Sequence, residues 1–175
     1  VQTRHLYYPA SWPNAIATCF AIRGLLDAHD WGVLPDGPER ASRARPFLES
    51  LFRESEHGPF FAYVSAGSEL IHNANVMVCG TLTRLLSHQP DPRLERRLDA
   101  ALETTIRLRG SDGNWPYGER SDLSWRDSFH TAYILEGLAR VHERTGKHGS
   151  LLGSALQSWL DHFFSPSGDA RYHPH

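Results

Sequence analysis

The chain has little of what marks a metal, redox or nucleotide site. Its 175 residues include two cysteines and one methionine. Neither Cys-x-x-Cys nor His-x-x-x-His occurs, and the 11 histidines are scattered. A zinc site is therefore not indicated. Cys19 and Cys79 both fall inside apolar helical patterns, which reads as buried free thiols and fits a reducing cytoplasm. A net charge of −2 gives no electrostatic pull toward nucleic acid or an acidic membrane surface. No apolar run approaches the roughly 18 residues that a membrane span needs, and no signal peptide is visible. No Gly-rich phosphate loop precedes a helix, so a nucleotide role is not supported and no cofactor is expected. Sustained strand-like alternation is nearly absent.

Helical periodicity is what the sequence does contain, at six places: 14–29, 44–54, 72–87, 92–108, 127–144 and 150–164. Only the segment 59–64, with three aromatics and a valine, reads as extended. The odd-numbered helices resemble one another. "NAIATCFAIRGLLDAH", "ANVMVCGTLTRLLSH" and "DSFHTAYILEGLARVH" share small or apolar residues and a late Leu at matching places. Cys19 and Cys79 repeat at the same offset as Leu25-Leu26 and Leu85-Leu86, and Gly24-Leu25 returns as Gly137-Leu138. A period of roughly 55–60 residues built of two helices is the sign of stacked helical hairpins. The odd helices are nearly apolar all round and are expected to be buried on both sides, while the even ones carry solvated faces. The expected fold is all-α: an α/α toroid, with residues 1–175 as a single domain. Three hairpins make about half a ring, since a closed toroid uses about six. The expectation is thus a fragment of a longer ring, or a ring completed by self-association.

Each inner helix opens on a polar and aromatic cluster: "SWPN" (11–14), "HNAN" (72–75) and "WRDSFH" (125–130). In a toroid these N-termini gather at one end, where their dipoles favour an anion by up to about 1 kcal/mol each. Asn14, Asn73 or Asp127 alone is explained by helix capping. Capping does not explain His72 with Asn75, or Asp127 with His130, pairs whose spacing puts both members on one helix face. The two histidines are candidate general acids or bases, and all four residues are expected to face one shared cavity. Asp127 and Glu119 are their carboxylate partners. Ser128, Asp127 and His130 share one helical turn and cannot form a nucleophilic triad. Trp115, in the turn "DGNW", is assigned to packing between hairpins. Tyr117, Trp125 and Trp12 suit a stacking floor for a sugar, and Asn14, Asn73 and Asn75 join them as substrate-binding candidates.

The segments "HNANVMVCGTLTRLL", "DGNWPYGE" and "WRDSFHTAYILEGL" resemble a bacterial α/α-toroid family associated with polysaccharide-biosynthesis genes. Its members commonly read His-Asn-Ala-Asn, Asp-Gly-Ser-Trp-x-Tyr-Gly-Glu and Trp-Ile-Asp-Asn-Phe-His-Thr-Gly. The likeness runs from residue 8 to residue 175. It departs at Arg126, Ser128 and Ala132, where the family has Ile, Asn and Gly, which puts any amide contact at 128 in doubt. The resemblance implies a longer toroid, with more sequence after "RYHPH", similar in fold to sugar-acting toroids and to squalene cyclases and prenyltransferases. The leading expectation is a carbohydrate-active enzyme working on a glycan or uronic-acid intermediate by lyase, epimerase or hydrolase chemistry. One alternative is a terpenoid cyclase or prenyltransferase, against which stands the lack of Asp-x-Asp-Asp and of evident zinc ligands. The other is a non-catalytic glycan-binding scaffold. Fold likeness alone assigns no chemistry.

Overall fold

A computed structural model describes residues 11–174. Helix α1 (Ala15–Asp30) is capped by Asn14, whose side chain accepts from the Ala17 N–H. Two short helices follow, α2 (Gly37–Ser42) and α3 (Arg45–Ser50), each with a proline in its first turn. Strands β1 (Phe52–Arg53) and β2 (Phe60–Phe61) pair antiparallel, Phe52 opposite Phe61. Four longer helices complete the chain: α4 (His72–Leu85), α5 (Pro92–Arg107), α6 (Ser128–Thr145) and α7 (Gly149–Phe163). Asp91 caps α5 ahead of Pro92, and α6 runs from the Asp127 cap to Gly146, which takes the left-handed conformation that ends a helix.

The segment read as one helix over 44–54 is instead two helices spanning 37–50, and residues 52–53 are extended. Proline explains the break. Pro38 and Pro46 suit helix starts, because the missing N–H costs nothing there, and Pro46 cannot continue the ladder from α2. The extended reading of 59–64 holds at Phe60–Phe61.

Helices α1, α4 and α6 form the inner layer, and α2 with α3, α5 and α7 the outer one. The inner helices run the same way. Ile16, Ala74 and Tyr117 cluster at the entrances of α1 and α4, while Asp27, Arg84 and Arg140 gather at the far ends. Helix α4 is buried along nearly its whole length, as a central inner helix should be. The expectation of two-sided burial fails for α1 and α6. These flank α4, and each keeps an open face bearing Phe20 and Phe129 respectively. Close approach of α4 to α6 depends on glycine: a Cβ on Gly80 would lie 2.8 Å from the Gly137 carbonyl oxygen. Among the described residues no helix is long and apolar enough to cross a membrane.

Candidate active site

The entrance of α4 has no side-chain cap; a loop fills that role. His72 N–H donates to the Tyr117 carbonyl at 3.0 Å, and Ile71 bridges Gly118 in antiparallel fashion. Tyr117 and Gly118 in turn donate to the carbonyls of Trp125 and Leu123. Gly118 is required here, since a Cβ would sit 2.8 Å from the Leu70 carbonyl oxygen. Trp115 anchors this loop from within. It is fully buried, and its indole N–H donates to the Thr105 carbonyl on α5 at 2.7 Å. The loop thereby carries Tyr117, Glu119 and Trp125 to the inner-helix N-termini.

The first constellation pairs Glu119 with His72, whose Nε2 lies 2.6 Å from Glu119 Oε1. That hydrogen bond outweighs the opposing effect of burial and holds the Glu119 carboxyl below the usual range. An ionised carboxylate only accepts, so Nε2 carries the proton. In the neutral ring His72 Nδ1, 3.1 Å from Thr105 Oγ1, then accepts. The Thr105 hydroxyl can donate to it because its own acceptor side is filled by Asn75 Nδ2 at 2.9 Å. Both His72 nitrogens are occupied, and the ring is fully buried. His72 therefore orients Glu119, and the expected open cavity shared by His72 and His130 is not formed. Glu119 itself opens on a groove of about 290 Å³ that also involves His57, Ser68 and Arg120.

The second constellation is Asp127 with His130. Asp127 caps α6 by accepting the His130 backbone N–H at 2.8 Å, and its other oxygen meets His130 Nδ1 at 2.6 Å and Trp125 Nε1 at 3.1 Å. Burial pushes this carboxyl up. The His130 ring, the His130 N–H and the Trp125 indole outweigh it, so the net direction is down. With Asp127 ionised, His130 Nδ1 donates, which leaves the Nε2 lone pair to act on a ligand. The His130 ring is part-exposed. The Tyr117 and Trp125 rings stack at 4.6 Å and 12°, and Tyr117 meets His130 at 4.5 Å.

The asparagines divide differently from the sequence reading. Asn14 serves as the α1 cap. Asn75 is completely enclosed, its amide taken by Phe61 N–H, the Ala101 carbonyl and Thr105, so it ties β2 to α5 and does not join the expected cavity. The i,i+3 spacing with His72 reflects a shared face turned to the outer layer. Asn73 is buried with Oδ1 lacking a partner. Trp12 is exposed ahead of α1. The sequence reading omits Phe129 and Tyr133, although their i,i+4 spacing beside His130 marks one aromatic face of α6. It also omits Tyr172, whose carbonyl accepts the Ser128 N–H beside Asp127. Among the described residues no group of three or more His, Cys, Asp or Glu side chains is placed to hold a metal.

No protein-family model and no curated protein matches the chain. Solved structures do. A polysaccharide lyase superposes with a TM-score of 0.67 at 13% identity, over 94% of this chain and 52% of the lyase. A glycosyl hydrolase family 88 protein from Bacteroides vulgatus gives 0.64 at 11% identity, over 95% of this chain and 53% of its own. A D-mannose isomerase gives 0.61 at 13% identity, over 87% and 43%. The chain has the α/α-toroid fold. It spans about half the length of these structures, and at such identities the likeness is one of fold.

Proposed function

We propose that this chain carries a carbohydrate-active site that moves a proton at a sugar carbon, as in lyase, epimerase or isomerase chemistry. The observation that carries the reading is the pair Asp127–His130, a buried carboxylate fixing the tautomer of a part-exposed imidazole at 2.6 Å. In this scheme His130 Nε2 takes the proton. Asp127 orients the ring and stabilises the imidazolium that forms. Glu119, aimed by His72, opens on the neighbouring groove with His57 and Arg120 and is the candidate proton-transfer group on that side. Tyr117, expected from the sequence to join a stacking floor, is instead buried at 5% exposure beneath the Trp125 ring, so the part-exposed Trp125 supplies the platform for the sugar ring. The N-terminus of α6 favours the negative charge that develops as the proton leaves.

Hydrolysis by two carboxylates is the weaker reading. It needs one carboxyl held protonated as a general acid, whereas Glu119 and Asp127 are both held below their ordinary range. The structural neighbours, a polysaccharide lyase, a family 88 glycosyl hydrolase and a D-mannose isomerase, support a carbohydrate substrate without choosing among the reactions.

Turnover on uronic-acid oligosaccharides and reducing hexoses tests the roles. His130→Gln keeps a donor for Asp127 but removes the base, and Glu119→Gln keeps a partner for His72. Each should lower kcat at least about a hundredfold with little change in melting temperature. Asn14→Ala should instead lower stability by about 1 kcal/mol and leave activity per folded molecule intact. Full activity in His130→Gln would remove the base from the scheme.

A further inference from the structure

We propose that the open face between α6 and α1, next to His130, is a second sugar-binding subsite, so that the ligand is a glycan chain spanning His130 and not a single sugar. The proposal rests on the reading of His130 as the reacting base. A continuous file of rings leads away from the Tyr117–Trp125 stack: Tyr117 to His130 at 4.5 Å, His130 to Phe129 at 5.3 Å, Phe129 to Tyr133 at 4.8 Å, and Tyr133 to Phe20 on α1 at 6.0 Å. Two of these rings stand in the open, Phe129 at 53% and Phe20 at 47% exposure. Exposed neighbouring aromatics beside a reactive group are costly unless something covers them.

Polar atoms at the same face specify what covers them. One helical turn beyond the Phe20–Tyr133 contact, Arg23 of α1 reaches Glu136 of α6 at 2.8 Å. Arg23 is only 4% exposed, yet its Nε and Nη2 have no partner. Asn73 on α4, between the two helices, is also 4% exposed with Oδ1 unpaired. Aromatic faces flanked by buried, unmatched donors and acceptors suit a pyranose, whose C–H face packs on a ring while its hydroxyl or carboxylate edge takes hydrogen bonds. A purely apolar partner would leave those polar atoms unsatisfied. Continuity through His130 places one sugar on Trp125, which the buried Tyr117 ring backs, and the next on Phe129 and Phe20. The bond or carbon acted upon lies between.

Calorimetric binding of tetragalacturonate and cellotetraose, with galacturonate and glucose as single-ring controls, tests the subsite. At least one tetrasaccharide should bind at least about tenfold tighter than its monosaccharide. Phe129→Ala and Phe20→Ala should each weaken it about three- to tenfold, the scale of one aromatic contact, and leave monosaccharide binding unchanged. Phe129→Tyr should restore it. Both rings are half exposed, so the variants should melt close to the parent, and a melting scan checks this. Failure of both tetrasaccharides to bind, equal affinity for one ring and four, or indifference to Phe129→Ala overturns the proposal. Tetrasaccharide binding with the expected variant pattern but no turnover would leave the subsite standing and defeat the proton-transfer reading. Turnover that needs His130 but ignores chain length would do the reverse.

Discussion

At the scale of single residues, the identity of a side chain says less than the occupancy of its atoms. His72 and His130 lie at the same end of parallel helices, and each pairs with a carboxylate at 2.6 Å. They differ in what the second ring nitrogen does. Thr105 occupies it in His72, so that ring aims Glu119. Imidazole nitrogen NMR should find His72 protonated at Nε2 and bare at Nδ1. Thr105→Val should disturb that signature and cost about 1–3 kcal/mol by leaving Asn75 and His72 short of a partner; Thr105→Ser should preserve it. A wild-type His72 protonated at Nδ1 would break the chain of donors. The carboxylates make a second expectation. Folding lowers the proton affinity of Glu119 and Asp127, so their contribution to stability is complete above about pH 5 and is lost as pH falls through their folded-state values. Denaturation titrations should show acid destabilisation that is shallower in Glu119→Gln and in Asp127→Asn. Equal acid limbs would contradict the assigned directions.

At the scale of elements, the long helices are legible in the sequence because an apolar stripe, a cap and a stop signal agree. Asp127 ahead of α6 and Gly146 after it fix that helix from both ends. The α2–α3 pair is not legible in the same way, since two prolines divide a periodicity that otherwise looks continuous. The Asp127–His130 pair is readable from its i,i+3 spacing. Glu119 is readable as a carboxylate partner for the histidines, but that its partner is His72 is not, because the two are far apart in sequence and meet only when the loop crosses the α4 entrance. The role of Asn75 is lost for a similar reason: its partners lie on β2 and α5. Nor does the repeat reveal that Gly80 sets the α4–α6 distance. Gly80→Ala should destabilise by about 1–3 kcal/mol, because the new methyl meets backbone rather than a movable side chain. Gly153→Ala in α7, where a Cβ meets nothing within 4 Å, should instead stabilise by about 0.5–1 kcal/mol. Urea denaturation of the two variants checks both signs, and a neutral Gly80→Ala would mean that the helices can separate freely.

At the scale of the whole molecule, parallel inner helices bring three N-termini together, and the 115–125 loop sets aromatic rings and carboxylates over them. The same architecture carries a lyase, a hydrolase and an isomerase among the solved structures it resembles. Fold alone therefore does not choose the chemistry, and the proton transfer proposed above rests on the side chains: two carboxylates held below their ordinary range and the Asp127-oriented imidazole of His130. Proton NMR of uronic-acid oligosaccharides and reducing hexoses incubated with the protein in heavy water tests this most directly. The expected result is loss or deuterium exchange of one carbon-bound sugar proton, abolished in His130→Gln and retained in Asn14→Ala. Turnover in which every carbon-bound proton survives, with simple cleavage of a glycosidic bond, would contradict it.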